Sequence, residues 1–343
     1  MNRSLFIFVM IAASFTQSCA DAPTANTETN KPDSTKRRIQ IIDTSALTLL
    51  DTSASIDIIA EGFSWTEGPL YIPDGDYFIF SDIPQNIIYK WKEGQGTDTF
   101  LTPSGYTGIY KRERTPGSNG LMLDHDGLLV LMQQGDRRIA KMITSLKDPA
   151  PKYITMVDKF EGKPLNSPND AVYHPNGDIY FTDPPYGLDK GMDDTAKKLD
   201  FSGVYRLKQP SADLDLLTKD LKYPNGITLS PDAKFLYVAN SDPEKMVWMK
   251  YALDEKGLIK SSDTFYTAHE YERKELGAPD GMKMNKAGYL FATGPEGVWI
   301  FNPAGKLIAR IYTGELTSNC ALSTDEKTLY MTCNHYIMRL KLK

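Results

Sequence analysis

Apolar residues in this chain come in short runs, many alternating with polar ones, and the runs recur with a long period. The clearest are YFIFSD (77–82), LLVLMQ (128–133), IYFTD (179–183), FLYVAN (235–240), YLFATG (289–294) and TLYMTC (328–333). Each begins nine or ten residues after a small oxygen-bearing side chain: Glu67 in TEGPL, Asn119 in GSNGL, Asn169 in SPNDA, Asn225 in YPNGI, Asp280 in APDGM and Asn319 in TSNCA. Successive anchors lie 52, 50, 56, 55 and 39 residues apart. A turn such as PDGD, HPNGD or SPDAK separates each anchor strand from its apolar run, and a third run follows (IIYKW, RIAKM, GVYRL, VWMKY, GVWIF, YIMRL). Short runs punctuated by Gly, Pro, Asn and Asp read as strands and tight turns. Six copies of a roughly four-stranded unit predict an all-β fold, a six-bladed β-propeller. The last copy shows three strands, and SIDIIAEG (55–62) is expected to supply its fourth and close the ring.

In such a ring the first strand of each blade lines the central channel. The loops leading into first strands share one face, the top, with the loops joining second to third strands. All six anchors are therefore expected at one mouth of the channel. Asn-Gly and Asp-Gly are common turn dipeptides, but isolated turns have no reason to keep a fixed distance from a following strand. One Glu, one Asp and four Asn form an all-oxygen donor set, which suits Ca2+. Mg2+, Mn2+ or Zn2+ are alternatives, zinc being disfavoured by the lack of His or thiolate at the anchors. Second-strand ends reach the same face, placing Asp82, Gln134, Asp183 and Asn240 nearby. Asp183, followed by two prolines and Tyr186, is expected to line a rigid, aromatic-walled corner that binds substrate, with Tyr106 in PSGYTG a weaker candidate.

Composition narrows the partners. Formal net charge is −5, and no basic block exceeds KRR at 36–38, so a nucleic-acid partner is not expected. Arg3 followed by LFIFVMIAASF (5–15) reads as a signal peptide over 1–18, and TQSC resembles a bacterial lipoprotein processing site at Cys19. Residues 19–45 are expected to form a flexible tether from a lipidated Cys19, with the propeller over 46–343. A diacylglyceryl group on Cys19 would anchor the protein to a membrane without spanning it, as an exported periplasmic or cell-surface lipoprotein, expected to be a monomer. Cys320 and Cys333 are expected as free, buried thiols.

The stretches EGPLY, FSDIPQNIIYKW, EGKPLNSPNDAVYHPNGDIYFTDPPYGL, YPNGITLSPDAKFLYVANS and APDGMKMNKAGYLFATGPEGVWIF resemble the gluconolactonase branch of the senescence-marker-protein/regucalcin/gluconolactonase family, over about residues 55–341. The resemblance implies a six-bladed propeller with one central divalent cation and hydrolysis of sugar lactones. Carried over by position, it implies Glu67, Asn169, Asn225 and Asp280 as metal ligands, with Asn119 and Asn319 behind them or facing substrate. Two positions depart from it. Ser167 stands where animal relatives place a substrate-contacting Arg, and Gln134 where many bacterial relatives carry His.

A lactone carbonyl polarised by a cation could be attacked by water, with Asp280 as general base or, alternatively, as nucleophile. No G-x-S-x-G elbow is present. His125 and His174 fall in bottom turns, away from the anchors. Two other readings remain: a non-enzymatic sugar- or protein-binding propeller with a structural cation, and a related esterase or phosphotriesterase. An open polar rim favours the enzyme; ligands capped by the 107–118 insertion would favour the binder.

Overall fold

A computed structural model describes residues 36–343 other than 273 and 275. The signal segment, Cys19 and the tether as far as residue 35 lie outside the described residues. Six sheets account for the repeats, each a meander in which consecutive strands pair antiparallel. The first blade runs Thr66–Ile72, Tyr77–Asp82, Ile87–Lys92 and Gly96–Leu101, and the second Ser118–Leu123, Leu129–Gln133, Arg138–Met142 and Tyr153–Val157. The third comprises Ala171–Tyr173, Ile179–Asp183, Gly203–Leu207 and Leu214–Thr218, and the fourth Pro224–Leu229, Phe235–Asp242, Lys245–Leu253 and Ile259–Thr267. The fifth has Met282–Met284, Leu290–Gly294, Gly297–Phe301 and Leu307–Tyr312, and the sixth Thr317–Leu322, Thr328–Cys333 and Tyr336–Lys341.

The sixth blade takes its outermost strand from the segment that precedes the first blade. Ile56–Glu61 pairs antiparallel with Tyr336–Lys341, Ile56 opposite Leu340 and Glu61 opposite Tyr336. The boundary expected at residue 45 moves, because the backbone is already strand at Arg38–Ile41. That strand adds a fifth, outermost member to the fifth blade, Arg38 opposite Tyr312 and Ile41 opposite Ala309. Alternation explains the docking: Ile39 and Ile41 pack against the core while the Arg38 guanidinium lies 3.7 Å from the centre of the Tyr312 ring. Among the described residues no helix is long and apolar enough to cross a membrane.

The core is divided among the seams. Six buried clusters each join two adjacent blades, because a strand face that alternates inward can only be covered by the next sheet. Between the sixth and first blades Tyr330 stacks on Phe78 at 5.0 Å, and between the fourth and fifth Trp248 meets Trp299 at 5.4 Å. Each such ring removed from water contributes roughly 1.5–3 kcal/mol. Cys320 and Cys333 are free and buried, and burial pushes both thiols up to about 12.

At the axis each innermost strand contacts the next, the sixth touching the first. Here the residue after the anchor explains itself. A Cβ on Gly68 would lie 1.9 Å from the Asn119 carbonyl oxygen, and one on Gly226 would lie 2.2 Å from that of Asp280. Gly120 N donates to Asn169 O at 2.8 Å, Gly281 N to Ser318 O at 2.7 Å, and Ser318 Oγ to Thr66 O at 2.7 Å. Gly226→Ala should therefore force two blades apart and cost about 3 kcal/mol, measured as a lowered denaturant midpoint. A midpoint unchanged from the parent would show that the inner ring is looser than described.

Candidate functional site

The anchors open into a cavity of about 780 Å³ at one end of the channel, whose floor is formed by Glu67, Asn119, Asn169, Asn225 and Asp280. Glu67, Asn119 and Asn225 reach the floor where a bulge breaks the regular pairing of the first strand with the second, and Asn169 and Asp280 stand just ahead of the first strands of their blades. Register shifts fall between Glu67 and Leu70, Ser118 and Leu121, Pro224 and Ile227, and Thr317 and Asn319. A bulge re-aims a side chain that would otherwise lie in the pleat. Asn319 is turned sideways: its Nδ2 donates to Glu67 Oε2 at 3.1 Å and its Oδ1 accepts from Cys320 N at 2.8 Å. It positions Glu67 and does not line the cavity.

Electrostatics single out this floor. Glu67 is 2% exposed, and burial pushes its carboxyl up to about 7, opposed by the Gly68 N–H and reinforced by the charge of Asp170. Burial, then the neighbouring charges of Glu67 and Asp170, hold Asp280 well above the ordinary carboxylate range. Asp280 Oδ1, Asn119 Oδ1 and Asp170 Oδ2 are buried without a hydrogen-bond partner. Orphaned oxygens of this kind are rare and costly in water-free surroundings. Asn225 Nδ2 donates to Ser241 Oγ at 2.9 Å, so its carbonyl oxygen is not committed to that bond. Buried oxygen acceptors left short of donors fit a hard cation. Among the described residues no three His, Cys, Asp or Glu gather to hold a metal by themselves, so a cation here must draw on the amide oxygens.

The remaining candidates divide. Gln134 lines the cavity wall with its Nε2 buried and unpartnered. Tyr186 also lines it; its ring stacks on Tyr223 at 5.6 Å, and its hydroxyl lies beside Ser241, Asn225 and Asp280, where burial raises its pKa. Asp183 does not face the cavity. Its carboxylate, 0% exposed, accepts from Asn166 N and Ser167 N, both at 2.7 Å, and so fastens the loop that precedes Asn169. Burial pushes it up to about 7 against those bonds. Asp82 does the same for Ser64 N and Trp65 N, and Asn240 for Tyr223 N. Tyr106 also lies off the cavity, its hydroxyl donating to Tyr110 O at 2.8 Å within the insertion. Ser167 is fully buried, donating to Pro184 O and accepting from Gly187 N.

The 107–118 insertion does not cap the floor. Thr107 N is bound by Asp136, Glu113 N and Arg114 N by Asp189, and the Arg112 guanidinium by the carbonyls of Gly135 and Gly187, which draws the segment to the side of the cavity. Sequence reasoning missed Asp170, although the register held the signal: it occupies the slot after the anchor that four copies give to glycine. It also missed Lys283, whose charge reaches Glu67, and the apolar walls described below.

A propeller closed around a buried floor of carboxylate and amide oxygens, open to one side, defines a class of ring-shaped proteins with an axial ligand site. The chain belongs to the SMP-30/gluconolactonase/LRE-like family, whose model matches residues 65–335. It is 38% identical over 303 residues to a gluconolactonase of Zymomonas mobilis, covering 86% of this chain and 83% of that protein. In structure it resembles a gluconolactonase of Xanthomonas campestris, with a TM-score of 0.76 and 25% identity over 89% of this chain and 95% of that one. A regucalcin of Agrobacterium tumefaciens, described as calcium-binding, shares the fold at a TM-score of 0.64 and 16% identity, over 83% of this chain and 94% of that one.

If Asp183 is a fastener, Asp183→Ala strands two buried N–H groups. It should cost about 2–5 kcal/mol, read from thermal or denaturant unfolding. A variant of parental stability would return Asp183 to the list of substrate contacts.

Proposed function

We propose that the protein hydrolyses a lactone to its hydroxy acid, in the manner of the gluconolactonases it resembles. One observation carries this reading: Glu67, Asn169, Asn225 and Asp280 meet on the floor of an open cavity, beside a buried carboxylate oxygen of Asp280 that has no partner. Those four residues would hold a divalent cation, and an all-oxygen set favours Ca2+. When bound, such a cation polarises a carbonyl and steadies negative charge on its oxygen. Glu67 stays aimed at the floor through Asn319 Nδ2 and Gly68 N. Asp280 takes a proton at Oδ1 from the attacking water. The water oxygen bonds to the carbonyl carbon, the ring C–O bond breaks, and the proton passes to the departing alkoxide. Gln134 and Tyr186, on one side of the mouth, orient the ring. A bound cation would oppose the rise that burial gives the Asp280 carboxyl and leave it a weak base, which suffices for an activated lactone.

A purely binding role would be favoured by a covered floor, and the course of the insertion speaks against it. The Arg3-led apolar segment and TQSC at Cys19 support a further proposal, export followed by lipid anchoring.

Protein stripped by a chelator should hydrolyse glucono-1,5-lactone poorly and recover on addition of Ca2+, followed as acid release at constant pH. Asp280→Asn should lower kcat by about 100-fold or more. Full activity in the stripped protein or in that variant would remove the mechanism.

A further inference from the structure

The walls of the cavity differ in kind from its floor. Trp65, Ile83 and Pro84 from the first blade, Pro243 and Met246 from the fourth, and Leu316 from the loop into the sixth line it. Leu316 is 37% exposed at the mouth, an apolar side chain that none of the described residues covers fully. The hydroxyls among these walls are already used. Ser241 Oγ donates to Pro279 O at 2.6 Å while accepting from Asn225, Ser318 Oγ donates to Thr66 O at 2.7 Å, and Thr317 Oγ1 bonds Thr313 Oγ1 at 2.7 Å. What remains for a ligand's polar atoms lies on the floor and on the Gln134–Tyr186 side. A cavity of about 780 Å³ also falls in the upper part of the range that takes drug-sized ligands, leaving room beyond a single six-membered ring.

We propose that the substrate is an amphiphilic lactone: a ring whose carbonyl meets the polar floor and whose alkyl or aryl arm lies along Trp65, Ile83, Pro84 and Leu316. This rests on the hydrolase reading and narrows its substrate class. A sugar lactone carries hydroxyls on most ring carbons, and each one placed against these walls would lose its water without gaining a partner. An apolar arm there gains about fourfold in binding per methylene buried.

The test compares three six-membered lactones on the Ca2+-loaded protein: δ-valerolactone without an arm, δ-decalactone with a pentyl arm, and glucono-1,5-lactone with hydroxyls. The kcat/KM for δ-decalactone should exceed the other two by at least about tenfold, and Leu316→Asp and Ile83→Ser should each shrink the δ-decalactone to δ-valerolactone ratio by a large part of that factor. A ratio near one, or preference for glucono-1,5-lactone, overturns the amphiphilic substrate while leaving the hydrolase intact. If no lactone is turned over, calorimetric titration with 6-pentylpiperidin-2-one and with unsubstituted piperidin-2-one separates the two readings. Binding that depends on the pentyl arm keeps the apolar wall as a ligand site and removes the hydrolase; absence of binding removes both.

Discussion

Six innermost strands must pass one another at a single axis, backbone against backbone, and this close approach is the constraint on which the rest of the molecule depends. Where Gly68 meets Asn119 O and Gly226 meets Asp280 O there is no space for a methyl group. Inter-blade bonds such as Gly120 N to Asn169 O and Ser318 Oγ to Thr66 O then fix how far each anchor projects. The outer seams, packed with aromatic rings, hold the blades upright, but they act on side chains far from the axis. Because the inner contacts are main-chain contacts, the anchor positions are set by the fold and not by the rotamers of neighbouring side chains. That is how a site assembled from distant segments can be rigid.

Rigidity has an electrostatic consequence. Glu67 and Asp280 cannot move apart to relieve their repulsion, and burial denies them water. Their charged forms are therefore disfavoured, and both carboxyls rise. A surface pair with the same chemistry would rotate away and be screened. The floor is in effect a preformed acceptor for positive charge, whether that charge is a cation or a bound proton. Apolar walls reinforce this, since they keep the local dielectric low and leave the floor's oxygens as the strongest polar feature a ligand meets.

Much of this was legible in the sequence because propellers repeat. A fixed distance from anchor to apolar run gave the number of blades, the inner strands, and the face on which Glu67, Asn119, Asn169, Asn225 and Asp280 gather. The misreading of Asp183 came from the same repetition taken too lightly. Asp82, Asp183 and Asn240 stand at equivalent strand ends, and all three bind N–H groups of the loop entering their own blade. Residues that recur at one position in several units tend to do what those units share, which is to hold the entering loop. Tyr106 was misplaced for a different reason: an insertion has no register, so its course depends on tertiary partners such as Asp136 and Asp189. The apolar walls were illegible for that reason too, coming mostly from loops with no common pattern.

Departures from the repeat are thus the better guide to chemistry, and Asp170 shows why. Its neighbours in register are glycines, which only let strands approach, yet here a carboxylate is buried with one oxygen unpartnered, its charge felt by both Glu67 and Asp280. As a stabiliser it would be a poor choice, because an uncompensated buried charge costs more than a glycine does. Counting formal charges gives it a reason. Glu67, Asp170 and Asp280 supply three negative charges and Lys283 one positive, so a divalent cation on the floor would bring the set to zero. With glycine at 170 the same count would leave the set one charge positive. The third carboxylate thus deepens the negative field that Glu67 and Asp280 feel, which would favour a cation on the floor.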